Sequence, residues 1–505
     1  MSDFDQKADQ EAKKALVLSE ISKRCHSSNQ TECDHLREIG QALESGDSLD
    51  CRIIAGGKTN YSYKVFCANN PSLAVYAKIS FSYALWNPDK SQEYDLQRAV
   101  NEFKIVQQFV SMIHPEKAPV AQPYFLADIS DGTAQMKLVV TEWAATSEQW
   151  AAEFTEGHVN AQISEQLART LGKLNLQTIE PSFNENIRPC FRSLFGTLET
   201  RFAEILLDVN NKKDDDMAIS FMQSMGSDIY HIITQNMDRE FMNVRDVICH
   251  NDSHQFNILI SGLPQDDDDN TTAKDNGFVI CDWEMTICGP VGRDAGLTMP
   301  FPIACAMCHA IQGRREEAFE IVGLTIQFWD TYSQVLQEGG NDEAYLRKAF
   351  LSALGVCGFY LFGVFYLLGI FAEFLPLEGA PHHHRKKAIS AFAKVGLELL
   401  WVAYGGKGEG MDYASVRDHY KQLVTEHIEI CLSVQESGNK PVPRRQSILR
   451  TAQRRVSDAF LADEAVFRTS SAKGGARRAS IYDEEALALS QEFQEETENI
   501  EHARS

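Results

Sequence analysis

The stretch Cys249 to Ile260, CHNDSHQFNILI, decides how this chain reads. Two histidines, an aspartate and an asparagine crowd together and then run into an apolar segment. Asp252 and Asn257 are separated by four residues, and a second aspartate, Asp282, ends the next apolar run, GFVICDWE. Phosphoryl transfer needs a carboxylate that orients a hydroxyl and takes its proton. It also needs oxygen donors for the magnesium ion that accompanies a nucleotide triphosphate. Magnesium is a hard cation, so Asp and Asn suit it better than His or Cys.

Upstream, the pattern supplies what phosphates require. CRIIAGGKTNYSYKVF (51–66) reads as strand, turn, strand. Its Gly56-Gly57 turn, which ends at Asn60, lets backbone come close to a nucleotide. LAVYAKIS follows, with Val75, Ala77 and Ile79 on one face and Tyr76 and Lys78 on the other. Leu96, Val100, Phe103, Val106 and Val110 then take helical spacing, and Glu102 on that helix can pair with Lys78. QMKLVVTEW is a further strand. A Gly turn, a strand Lys, a helix Glu and an Asp–Asn–Asp set thus come in the order that kinases use.

The rest of the chain sets the frame. It has 505 residues, 44% of them apolar, and a net charge of −23. Such acidity argues against nucleic acid and anionic membrane as general partners. The twelve cysteines are scattered, as in a reduced protein with core thiols rather than a disulfide framework or zinc site. The N-terminus is charged and unlike a secretory signal, and the expected location is cytoplasmic. Residues 349–372 carry no charge and are long enough to span a bilayer. They read as a buried central helix, because a span in mid-chain would divide one globular unit. The Asp266–Asp269 run reads as a solvated hairpin tip.

The expected fold class is α+β with two lobes. Residues 1–48 form a helical extension, 49–143 a strand-rich N-lobe, 144–435 a helical C-lobe, and 436–505 a disordered tail. In the C-lobe, Ile163, Leu167, Leu171 and Leu174 mark one buried helix face. The tail holds RRQS, RRVS and RRAS, which place Ser447, Ser457 and Ser480 each after an Arg pair. Basophilic protein kinases prefer that pattern, so such a kinase is an expected partner. The sequence leaves a homodimer open.

HNDSHQFN fits HxDxHxxN, the catalytic-loop pattern of the aminoglycoside phosphotransferase, choline kinase and methylthioribose kinase superfamily. CDWE resembles the Asp-x-Glu magnesium motif of that group, and GPVGRDAG (289–296) resembles the GPxGxDxG of methylthioribose kinases. GGKTNYSYKVF is closer to the choline kinase nucleotide loop, and LARTLGKLN resembles the LAxxLaxLH helix, with Asn175 in place of His. The resemblance implies a kinase-like fold that uses ATP and Mg²⁺ to phosphorylate a small-molecule hydroxyl. It makes Asp252 the base and Asn257, Asp282 and Glu284 the metal residues. Lys78 goes to the α/β-phosphates, Gly56, Gly57, Asn60 and Glu102 to the nucleotide side, and Glu142 to the hinge Val140–Trp143. His250 and Asp294 are expected to brace the loop, and for His254 bracing is favoured over ligand contact. Methylthioribose kinases hold the sugar with a helical Arg pair, and the matching stretch here has no Arg. Choline is the alternative acceptor, with Phe359, Tyr360, Phe362, Phe365, Tyr366 and Glu373 as cage residues. A pseudokinase or signalling adaptor is the rival class, against which Lys78, Asp252, Asn257 and Asp282 all stand intact.

Overall fold

The computed structural model describes residues 3–26, 33–54, 60–83, 95–113, 119–144, 148–178, 180–188, 216–225, 227–260, 277–369 and 371–436. Gly56, Gly57, the Asp266–Asp269 run, Ser447, Ser457 and Ser480 lie outside them.

Alternating apolar residues produce five antiparallel strands: β1 Leu49–Ile54, β2 Asn60–Cys67, β3 Ala74–Phe81, β4 Pro123–Ser130 and β5 Gln135–Glu142. They pair in the order β1-β2-β3-β5-β4, so β3, which carries Lys78, lies at the centre. Val75, Ala77 and Ile79 are fully buried on one face, as their alternation requires. That face meets two N-terminal helices, α1 Asp3–His26 and α2 Asp34–Glu44. Val17, Ile21, Cys25, Leu36 and Ile39 share one core with Tyr63, Val65, Leu138 and Val140. Tyr63 Oη donates to the Gln10 carbonyl at 2.9 Å, and Lys13 Nζ reaches Asp131, between β4 and β5, at 3.0 Å. Residues expected as an extension therefore cover the apolar side of the sheet.

The helix between β3 and β4, α3 Gln97–Ile113, differs from its expected orientation. Its buried face is Arg98, Ala99, Glu102, Ile105, Val106 and Phe109, while Leu96, Val100 and Phe103 are only half-buried. Apolar periodicity mistook the stripe because this helix buries charge, with Glu102 and Arg98 turned into the protein where cationic and anionic partners meet them.

The C-lobe is mostly helical. Ile163, Leu167, Leu171 and Leu174 are buried on the helix Ala161–Asn175, as their spacing predicts. The long apolar run is the helix Glu343–Gly358, continued as a π-helix over Phe359–Leu367. Its most apolar window is 78% buried inside the protein, the state of a core helix. The glycines in it have a packing purpose. A Cβ on Gly358 would come within 2.5 Å of the Gly396 carbonyl oxygen, so the two glycines let this helix cross His382–Tyr404 at close range.

If α1 is part of the N-lobe core, Ile21→Ala should destabilise the full chain by about 2–5 kcal/mol, the usual cost of such a truncation. The shift in urea midpoint of the N-lobe transition measures this.

Candidate active site

Two short ladders bring the polar segments together. Val247–Cys249 pairs antiparallel with Ile287–Gly289, and Ile258–Ile260 with Phe278–Ile280. The intervening residues 250–257 and 281–286 must therefore lie side by side. Each contains one non-glycine residue in the left-handed region, Asn251 (φ 66°) and Asp282 (φ 61°). Asn and Asp tolerate that conformation best among side-chain-bearing residues, and such outliers cluster where geometry serves a site.

The loop of residues 250–257 hangs on Asp294. One carboxylate oxygen accepts from His250 N at 2.9 Å and the other from Asn251 N at 2.8 Å. Asp294 is fully buried on the short helix Arg293–Thr298, and its carbonyl accepts from Ser253 Oγ at 3.0 Å. Burial pushes its carboxyl up from the ordinary value, and the two backbone donors act against that. Asn175 extends the brace: its Nδ2 donates to the Ile248 carbonyl, and Tyr332 Oη donates to its Oδ1. Arg293 Nε donates to Asn251 Oδ1, with its guanidinium 4.3 Å from the centre of the Phe241 ring.

His250 ties the two segments to each other. Its Nε2 is 2.9 Å from the Cys281 carbonyl and its Nδ1 accepts from Asp252 N at 3.2 Å. Those partners fix a neutral imidazole, and burial holds its pKa down at about 3. Asp252 then presents its side chain between two neighbours. Asn257 Nδ2 donates to Asp252 Oδ2 at 2.8 Å, and His254 Nε2 is 3.3 Å from Oδ1. Burial raises the Asp252 carboxyl above its ordinary value, opposed chiefly by His254. Since Asn257 spends its amide nitrogen on Asp252, its Oδ1 is the atom left to face a cation.

The second half of the site comes from the N-lobe. Lys78 Nζ lies 3.0 Å from Glu102 Oε2, 2.8 Å from Asp282 Oδ1 and 3.3 Å from Glu284 Oε2. Burial alone would lower the ammonium, but the three carboxylates hold it well above its usual value. Glu102 is pushed up to about 7, because burial and the two neighbouring carboxylates outweigh its share of Lys78. A β3 lysine paired to an intervening helix, and meeting an Asp from a second lobe beside an Asp–Asn loop, settles the architecture. The fold is kinase-like.

The oxygen-rich donor set fits Mg²⁺, with Asp282 and Asn257 as the residues whose oxygens could hold it. Asn60 does not stand alone on the nucleotide side: its Nδ2 donates to Glu284 Oε2 at 2.9 Å. Glu142, at the end of β5, accepts from Gln122 N at 3.4 Å. Sequence reasoning missed Arg98, Asn184 and Arg293. Asn184 is buried, and its Nδ2 donates to the carbonyls of Glu284 and Thr286 at 3.0 and 2.9 Å. No local pattern marks these residues, since the side chains and carbonyls they hold lie from 17 to 186 positions away in the chain.

No family model and no curated protein matches the chain. Among solved structures, an aminoglycoside phosphotransferase from Alicyclobacillus acidocaldarius is 14% identical, covering 75% of this chain and 92% of that one, at a TM-score of 0.39. Glucosamine kinase in complex with glucosamine, ADP and inorganic phosphate is 10% identical, covering 70% and 93%, at 0.33. A choline/ethanolamine kinase family protein from Mesorhizobium loti is 11% identical, covering 76% and 92%, at 0.28. Likenesses this distant carry no argument about chemistry. The kinase-like description rests on the chain's own strands, helices and side chains.

The His250 environment makes a pH prediction. The folded protein holds this imidazole neutral down to about pH 3, while the unfolded chain protonates it near its ordinary 6.5. Falling pH thus favours the unfolded state between those values, by about 1.4 kcal/mol per unit at most. His250→Gln removes that contribution. Its stability deficit against the parent should be largest above pH 7 and shrink toward pH 4, read from urea midpoints.

Proposed function

We propose that the chain transfers the γ-phosphoryl group of ATP to a hydroxyl of a small molecule. The observation that carries this reading is Lys78, buried between Glu102 and Asp282 at 3.0 and 2.8 Å, beside an Asp252–Asn257 loop. A lysine clamped this way keeps its charge and its direction, and catalysis of phosphoryl transfer is mainly positioning and charge stabilisation.

In the proposed reaction Asp252 accepts the acceptor's O–H proton as that oxygen bonds to the γ-phosphorus. The bond from phosphorus to the β,γ-bridging oxygen breaks, and ADP leaves. Asn257 Nδ2 and His254 orient the Asp252 carboxylate for that proton. Lys78, held by Glu102, neutralises charge on the phosphates. Mg²⁺, when bound, supplies further charge neutralisation on the phosphate oxygens. Asp252→Asn should lower turnover by roughly a thousandfold or more, as expected for losing the positioned base, while Mg²⁺·ADP binding survives. Coupled ATP turnover over a panel of methylthioribose, choline, ethanolamine, homoserine and aminoglycosides tests the reading. Retained full activity in that variant, or no turnover with any hydroxyl acceptor, counts against it.

Among acceptors, we favour a neutral methylthioribose-like alcohol over choline. Of the aromatic residues expected to cage a cation, Phe359, Phe362 and Phe365 are core residues, and Tyr366 Oη is spent on Asp216 at 3.0 Å. Phe256 and Phe371 stack at 4.9 Å, and both rings meet His254, whose Nε2 is 3.3 Å from Asp252.

For the tail, we propose that Ser447, Ser457 and Ser480 are phosphorylated by a basophilic protein kinase, each serine following an Arg pair. Intact-mass analysis of protein from its native source should find phosphate there, and alanine at all three should abolish it. A cytoplasmic location is proposed on the same sequence grounds as before.

A further inference from the structure

Glu284 occupies the third position of the Asp-x-Glu segment, where a second metal-binding carboxylate is expected. Its surroundings point elsewhere. Three N-lobe side chains from three different elements converge on one of its oxygens. Asn60 Nδ2 of β2 lies at 2.9 Å, Arg98 Nη1 of α3 at 3.2 Å and Lys78 Nζ of β3 at 3.3 Å. Arg98 Nη2 also donates to Asn60 Oδ1 at 3.1 Å and to the Phe81 carbonyl at 3.3 Å. All four side chains are buried. Asp282, by contrast, has a side chain 39% exposed.

We infer that Arg98 is a positioning residue that commits Glu284 to joining the lobes and withholds it from the metal. This rests on reading the site as a metal–nucleotide site. A buried guanidinium binds a carboxylate with fixed geometry and cannot give up its charge. Pulling Glu284 away would break its buried bonds to Arg98 and Asn60, a large penalty in a dry site. The metal is therefore left with Asp282 and Asn257. The division also frees Lys78: with Glu284 neutralised by Arg98, the lysine is not shared equally among three carboxylates. It can follow the phosphates when Asp282 turns to the cation. The same helix is pinned a second time, since Asn101 Nδ2 donates to Asn184 Oδ1 at 3.1 Å and Asn184 holds the Glu284 backbone.

Binding of Mn²⁺ with ADP to the full chain, followed by electron paramagnetic resonance of free and bound Mn²⁺, tests this without relying on turnover. Glu284→Gln keeps the shape and the acceptor oxygen, so affinity for Mn²⁺ should stay within about threefold of the parent. Asp282→Asn removes a metal oxygen anion and should weaken it roughly tenfold or more, as loss of a ligand must exceed loss of an outer partner. Arg98→Met releases Glu284 and should tighten Mn²⁺ binding, an effect that Arg98→Met/Glu284→Gln cancels. A Glu284→Gln loss equal to that of Asp282→Asn would overturn the inference, and this variant decides even if Arg98→Met does not fold. If the parent protein binds no Mn²⁺·ADP, the metal–nucleotide reading falls and takes the inference with it. If Asp282→Asn alone loses binding, both stand.

Discussion

A lysine ammonium buried among three carboxylates is the constraint on which the molecule depends. Lys78 sits in the middle strand of the N-lobe, Glu102 on the helix behind it, and Asp282 and Glu284 on a loop of the other lobe. Removing one member of such a group strands the others in a medium that solvates charge poorly, typically at about 3–5 kcal/mol. The two lobes are thus held in register by charge rather than by apolar packing alone. Arg98 completes the balance, which is why α3 turns a charged face inward.

The C-lobe solves a different problem. A loop that presents Asp252 and Asn257 has backbone donors with no strand partner, and buried donors must be satisfied. Asp294 takes two of them, and His250 and Asn175 take further groups of the adjoining segments. Each brace is buried and remote in sequence from what it holds. The loop's shape is therefore fixed before a ligand arrives, which is the condition for electrostatic preorganisation.

Much of this was legible in the order of residues. Alternation located four strands of the N-lobe sheet and passed over β4, Pro123–Ser130, and spacing located the helix carrying Leu167 and Leu171. The Asp252–Asn257–Asp282 set pointed to one candidate site, and the fold brings its loops side by side. The reading failed where charge replaced apolar surface. Of the expected stripe, Val106 is buried while Leu96, Val100 and Phe103 are only half-buried, and the helices of residues 3–44 looked peripheral although Val17 and Ile21 are fully buried. Periodicity counts hydrophobic residues and does not register a buried glutamate with a partner on another strand.

The sequence by itself determined the candidate groups, because carboxylate, amide and ammonium chemistry belongs to the side chains whatever their surroundings. It also led to the expectation that residues 349–372 would be buried, since so apolar a helix must leave water, and Ala349–Phe350 and Ser352–Phe359 are buried. Tertiary structure alone decided how the two neighbouring carboxylates are placed. Asp282 and Glu284 are two positions apart and equally anionic. The Asp282 side chain is 39% exposed, and that of Glu284 is enclosed by Asn60, Lys78 and Arg98. Burial and distance separate their roles, and neither is written in the identity of a residue.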